Sequence, residues 1–115
     1  MSPITRIGTT ARWSDVVIHN GTLYVVEVPA TLEADLATQT GEVLASLQRQ
    51  LEAHGSGVDK ILMATIYLKD IGAIATFNAL WDAWLPVGYA PVRACVQAQL
   101  AHSDYQVEVQ LIAAV

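Results

Sequence analysis

Ile61-Leu62-Met63-Ala64-Thr65-Ile66-Tyr67-Leu68 carries no charge and is rich in β-branched and aromatic residues. It has the length and composition of a strand rather than of a helical segment. Successive strand residues point to opposite faces of a sheet, so an almost wholly apolar run predicts a central strand covered on both sides. Two helical segments flank it in sequence and supply candidates for the cover.

On the C-terminal side, Asp70 is placed to cap a helix in which Ile74, Phe77, Leu80, Trp81 and Trp84 form the inward stripe, until Pro86 stops it. Two further strands follow, one within Ala90-Pro91-Val92-Arg93-Ala94-Cys95-Val96 and one around Val107-Glu108-Val109. On the N-terminal side, Asp15 to Ile18 and Leu23 to Val26 are β-prone runs joined by Asn20-Gly21, which suits the positive φ angles of a tight hairpin. Pro29 ends the second run. A helix is then predicted from about Leu32 to His54, with Leu36, Thr40, Val43, Leu44, Leu47 and Leu51 at helical spacing. Thr31 is its expected N-cap, Glu33 and Asp35 suit its positive start, and Gly55 suits a left-handed C-terminal cap. Gly41 weakens this helix by about 1 kcal/mol relative to alanine. The order ββαβαββ predicts an α+β fold with one sheet and two helices packed on one face. Residues 1–115 are expected to form a single domain, with no internal repeats or linkers.

Apolar residues make up 53% of the chain and charged residues 15%. So apolar a small domain is easier to keep in solution if part of its surface is buried between copies, and a homo-oligomer is expected. The formal charge of −5 argues against nucleic acid and against anionic membrane surfaces, because both need clustered cations. The segment Met1-Ser2-Pro3-Ile4-Thr5-Arg6 lacks an apolar signal core, and no run approaches the roughly 18 apolar residues of a membrane span. A lone cysteine forms no internal disulfide, which with the other absences favours a cytoplasmic location.

The candidate site begins with Arg93, a buried-looking cation that points to anion binding. Alternation puts Arg93, Cys95 and Gln97 on one face of their strand, and Glu108 with Gln110 on one face of theirs, while the valines and alanines point the other way. Both polar faces are expected to line one cleft. With a simple turn over residues 100–105, Arg93 lies nearer Ile112 than Glu108, so a ligand or water would bridge Arg93 and Glu108. Two plainer readings stand beside this one: Arg93 in a structural ion pair, and Glu108 as a solvated residue on an edge strand. Cys95 has no histidine at a spacing that identifies an activated thiol and is read as packed or cleft-lining. His19, His54 and His102 fall near turns and helix ends without metal-ligand spacing, so no metal is expected. Gly55-Ser56-Gly57 follows a helix rather than a strand and is read as a turn, and Trp81 and Trp84 are core or interface residues.

Several of these segments, in order, resemble the RidA/YjgF family of enamine and imine deaminases. The likeness is carried by Ala64-Thr65-Ile66-Tyr67-Leu68-Lys69-Asp70 with Phe77-Asn78-Ala79, by Ala90 to Val96, and by Val107-Glu108-Val109 with Ile112-Ala113. Gln39, Leu44 and Glu52-Ala53-His54-Gly55 fall in register as well. The resemblance implies a chorismate-mutase-like fold, a homotrimer, and three ligand clefts between neighbouring subunits. It makes Arg93 the clamp for a substrate carboxylate and Glu108 the acid that positions water. The implied reaction converts an enamine to an imine and then, by hydrolysis, to a 2-keto acid and ammonia, without metal or cofactor.

Two departures mark a divergent branch. Gly8-Thr9-Thr10 stands where the best-known deaminases carry Gly-Pro-Tyr, and Glu27-Val28-Pro29 where they carry Ser-Gly-Gln. Glu27 and Val28 are thereby expected at the substrate site, with Glu27 either repelling a carboxylate or pairing with Arg93 when the site is empty. The alternative function is a noncatalytic trimer that binds a small carboxylate such as a keto acid. The ribonuclease activity sometimes attached to the family is disfavoured by the acidic charge.

Overall fold

Asn20 and Gly21 take φ angles of 52° and 74°, the pair of positive values that a two-residue type I′ hairpin turn requires. They join β2 (Val16–His19) to β3 (Thr22–Glu27), with Val16 opposite Val25 and His19 opposite Thr22. The computed structural model describes residues 3–115. Met1 and Ser2, at the head of the segment read for a signal core, lie outside the described residues. A further strand, β1 (Thr5–Ile7), pairs with β2 and brings the sheet to six strands instead of the expected five. Three residues are too few for alternation to register as a pattern.

Helix α1 spans Leu36–Ala53, one turn shorter at its start than the apolar periodicity implies. Asp35, not Thr31, is the N-cap, and its carboxylate accepts from the Thr38 backbone N–H at 2.9 Å. Thr31 donates its hydroxyl and its own N–H to the Glu42 carboxylate, which holds the preceding loop outside the helix. The predicted stripe is otherwise in place, with Thr40, Val43, Leu44, Leu47 and Leu51 buried. His54 closes the helix, and Gly55 follows with φ of 81°.

Strand β4 (Ile61–Leu68) leads through a 3₁₀ turn, capped by Asp70 on the Gly72 N–H, into α2 (Ile74–Trp84). The chain then returns through β5 (Val92–Gln97) and β6 (Val107–Ala114). The sheet order is β1-β2-β3-β6-β4-β5. Only β4 and β5 run parallel, as a crossover through a helix demands, and the other neighbours are antiparallel. The Trp84 indole N–H donates to Gln48 Oε1 at 3.1 Å and ties the two helices together. Among the described residues, no helix is long and apolar enough to cross a membrane.

One face of the sheet carries the core. Leu23, Val25, Ala64, Ile66, Leu68, Val107, Val109, Leu111 and Ala113 are buried beneath the helices. The opposite face is bare. Tyr24, Val26, Met63 and Val96 are exposed there, and Val92 keeps 67% of its surface. Strand β4 is therefore central in the sheet but covered on one side only, contrary to the two-sided burial its composition implies. Its apolar residues on the open side need a cover that the single chain does not provide.

Gln39 is the polar centre of the fold. It is fully buried, and its amide nitrogen donates to the carbonyls of Thr31 (3.0 Å), Leu32 (3.3 Å) and Asp104 (2.9 Å). Its Oε1 accepts from the Gln106 N–H at 2.7 Å. One side chain thus fastens the loop after β3 to the loop before β6. Gln39→Met, which keeps the length and removes the amide, is expected to cost about 1–3 kcal/mol by leaving buried backbone groups unpaired. Urea unfolding measures this, and a loss below about 0.5 kcal/mol would show that the loops are held by other contacts.

Candidate active site

Arg93 lies beside Ala64, Cys95 beside Ile66 and Gln97 beside Leu68 in the β4–β5 ladder. All three β4 partners are fully buried under the helices. Arg93, Cys95 and Gln97 therefore share the helix side of the sheet, and Val92, Ala94 and Val96 lie on the bare side. The expected alternation is present, but its apolar half faces away from the chain's own core. Strand β5 is an edge strand, so the helix side of its outer margin remains open enough for a cation.

The Arg93 guanidinium sits 6.0 Å from the Phe77 ring centroid and 5.8 Å from that of Trp81. Both rings are buried and stack on each other with centroids 5.7 Å apart. Arg93 itself is exposed, which corrects the expectation of a buried cation. Among the described residues no carboxylate oxygen lies within 4.0 Å of its nitrogens, so no ion pair holds it within the chain. Its environment is aromatic, and the attraction is that of a cation to ring faces. Periodicity correctly placed Phe77 and Trp81 in the helix stripe but could not reveal that they meet Arg93. The one signal for it is their i, i+4 spacing on the helix preceding the arginine strand.

Beside Arg93, Cys95 is half-buried, and burial pushes its thiol pKa up while the Arg93 charge pulls the other way. The net direction is upward, which keeps the sulfur a thiol. Gln97 Oε1 accepts from the Ile71 N–H at 3.0 Å and is committed to the turn before α2.

Glu108 pairs with Tyr67, and Gln110 with Thr65, on the bare face of the sheet. The Tyr67 hydroxyl reaches Gln110 Oε1 at 3.5 Å on that face. Partial burial raises the Glu108 pKa, with desolvation its cause. Arg93 and Glu108 thus lie on opposite faces, with β4 between their strands. Arg93 is level with Leu111, through Ala64, which leaves it roughly 14 Å along and across the sheet from Glu108. The expected shared cleft does not exist within one chain, because the two strands turn their polar alternates to opposite sides.

Glu27 follows Leu23 and Val25 onto the helix side of β3. It is level with Cys95 through Val109 and Ile66, roughly 14 Å away across two strands, and does not pair with Arg93 in the same chain. Instead its Oε2 accepts from the Ser46 hydroxyl at 3.0 Å. Its pKa is raised by burial first and by Asp15, against the lowering effects of the Ser46 hydrogen bond and Arg49. Val28 is exposed just beyond the strand and Pro29 is buried. At the other departure, Gly8 has φ of 66°. The Thr10 hydroxyl accepts from the Arg12 and Trp13 N–H groups, shaping a tight loop that leaves Trp13 exposed.

Three depressions lie elsewhere. One of about 190 Å³ is lined by Ser14, Val17, Tyr24, Val26 and Gln110, one of about 310 Å³ by Lys69, His102 and their neighbours, and one of about 330 Å³ by Lys69, Gln97, Ala98 and Gln99. None of the three is lined by Arg93 or Glu108. His19 and His54 are half-buried, their rings bonded to the Pro3 and Gln50 carbonyls, and His102 is exposed against Tyr105. Among the described residues no three His, Cys, Asp or Glu side chains converge to hold a metal ion.

Residues 3–115 match the family model described as Endoribonuclease L-PSP. The chain is 51% identical over 112 residues to the RutC family protein YoaB of Escherichia coli strain K12, covering 97% of this chain and 98% of that protein. It is 30% identical over 101 residues to the 2-iminobutanoate/2-iminopropanoate deaminase of the same organism, covering 86% and 79% of the two chains. The crystal structure of NMB1025 from Neisseria meningitidis, a member of the YjgF protein family, superposes with a TM-score of 0.92 at 42% identity, over 97% of this chain and 94% of that one.

The raised Glu27 pKa has a stability consequence of definite sign. Folding disfavours the charged carboxylate, so this residue's contribution is most favourable below its unfolded pKa and is lost as pH rises through the folded value. Glu27→Gln is expected to raise the melting temperature at pH 8, with the gain vanishing below about pH 4, where both states of the glutamate are neutral. Thermal melts across this range check it, and a destabilisation at pH 8 would mean that a cation compensates the buried charge.

Proposed function

The chain belongs to the RidA/YjgF family, and on that footing we propose that it hydrolyses small amino-acid-derived 2-imino acids to 2-keto acids and ammonia. The observation that carries the reading is an arginine presented at a sheet margin against two fixed aromatic rings, with no acidic partner among the described residues. Its planar fork can take both oxygens of a substrate carboxylate and so fix the reacting carbon beside it.

The working unit is a homotrimer in the cytoplasm. The bare apolar face favours burial against another copy, and the opposite placement of Arg93 and Glu108 favours a cleft built from two copies, with Arg93 and Cys95 from one and Glu108 from its neighbour. Such an arrangement needs no change in the fold of either chain. Residues 1–115 act as one RidA-like domain, with a small carboxylate and further copies of the chain as partners. Nucleic acid and membranes are not proposed as partners, given the net charge of −5.

In the reaction, neutral Glu108 gives its proton to the enamine carbon, which forms the imine. The resulting carboxylate orients a water molecule and takes its proton as oxygen bonds to C2. That proton passes to nitrogen, the C–N bond breaks and ammonia leaves, while the carboxylate takes the hydroxyl proton as the keto group forms, which restores neutral Glu108. A carboxyl group whose pKa is raised by burial suits both halves of this relay. The sequence of steps involves no net oxidation or reduction and uses no cofactor.

The second reading, a noncatalytic keto-acid binder, is favoured by Pro29, which has no N–H to offer a ligand where the resemblance puts the Ser-Gly-Gln segment. The two separate in one assay. With 2-aminoacrylate or 2-iminobutanoate generated in situ by an amino-acid dehydratase or oxidase, the enzyme accelerates keto-acid release, and Arg93→Ala and Glu108→Ala each lower that acceleration about 100-fold or more. Mixed trimers of the two variants then regain activity. Half of the copies keep Arg93 and half keep Glu108, so about one intersubunit site in four is complete. Acceleration by neither substrate, alongside keto-acid binding that Arg93→Ala abolishes, would establish the binder. Active single variants whose mixing changes nothing would overturn the two-copy site.

A further inference from the structure

We propose that Trp81, with Phe77 behind it, is a positioning residue that holds Arg93 ready for its ligand without neutralising it. This inference rests on the reading of Arg93 as the anion clamp and asks what keeps an exposed arginine on an edge strand in place. A free arginine side chain has many rotamers, and fixing them on binding weakens affinity. A carboxylate neighbour would fix the side chain, but it would occupy the guanidinium fork and compete with the substrate.

Aromatic faces avoid that conflict. A ring face attracts the cation through its quadrupole, while the guanidinium N–H donors radiate in the plane of the group and stay available for a carboxylate. The geometry has this form, with the Arg93 carbon Cζ 5.8 Å from the Trp81 centroid and 6.0 Å from that of Phe77. The rings are themselves immobilised. Phe77 is fully buried and Trp81 is 3% exposed. Trp81 also packs on Trp84, at a centroid distance of 5.5 Å, and Trp84 is hydrogen-bonded to Gln48 of α1. The cradle is thus anchored in the helix–helix contact, and the exposed partner is the arginine. Glu27, the acidic group that the family resemblance places near this site, is engaged by Ser46 on the far side of the core.

The test compares Trp81→Phe, Trp81→Leu and Arg93→Ala in the full chain. Calorimetric titration with 2-oxobutanoate reads affinity, and steady-state hydrolysis of 2-iminobutanoate reads kcat and KM. Trp81→Leu is expected to weaken 2-oxobutanoate binding about three- to tenfold and to raise KM by a similar factor with little change in kcat, since the carboxylate contact is made in ground and transition states alike. Trp81→Phe, which loses volume but retains a ring face, is expected to stay within about twofold of the unsubstituted protein. If Trp81→Leu does not fold, Phe77→Leu carries the same expectation with a smaller effect. Equal losses in Trp81→Phe and Trp81→Leu would assign the effect to packing volume and overturn the proposal. So would unchanged binding in Trp81→Leu when Arg93→Ala has lost it. If Arg93→Ala binds as tightly as the unsubstituted protein, or that protein does not bind 2-oxobutanoate, the proposed function falls and this inference falls with it.

Discussion

A pleated strand hands alternate residues to opposite faces, and in this chain only one face has helices over it. Every feature of the candidate site follows from that constraint. The β6 residues Val107, Val109, Leu111 and Ala113 all turn to the helices, so Glu108 and Gln110 must turn away. On β5 the phase is reversed, with Arg93 and Cys95 toward the helices and Val92, Ala94 and Val96 toward the bare side. Burying that apolar face contributes about 2.5 kcal/mol per 100 Å² removed from water, so the bare side of the sheet favours association.

Polar groups inside the fold divide by how they are satisfied. Gln39 spends its whole amide on backbone groups of two loops, and a buried amide so paired fixes geometry at no net penalty. Glu27 is only partly compensated by Ser46, and its raised pKa records the remainder. Among the described residues Arg93 has neither amide nor carboxylate partner but ring faces, which leave its charge and its donors in place. That difference separates a group serving the architecture from one free to meet a ligand.

Much of the fold was legible in local patterns. Asn20-Gly21 announced the hairpin because few other dipeptides accept two positive φ angles, and the Val43-Leu44-Leu47-Leu51 stripe announced α1 because its period matches the helix. The short β1 strand escaped because it has too few residues to show a period, and the start of α1 was displaced because Thr31 and Asp35 are both good caps. The choice between them depends on Glu42, eleven residues past Thr31, which takes the Thr31 hydroxyl and N–H. At the site, residue identities and their alternation were readable, as Arg93 with Cys95 and Glu108 with Gln110. Which side of the sheet each pair faces was not.

The order of strands and helices, the turn at Asn20-Gly21 and the partition of each element into two faces are written in residue types and their periods, since these depend on backbone sterics and on neighbours a few positions away. The orientation of each face depends on which strands become neighbours. With β6 inserted between β3 and β4, and β5 carried to the edge by the α2 crossover, Arg93 came to rest on aromatic rings, Glu108 on the open side, and Glu27 against α1. Pairing between distant strands is settled by packing the whole sheet at once, and no local pattern contains it.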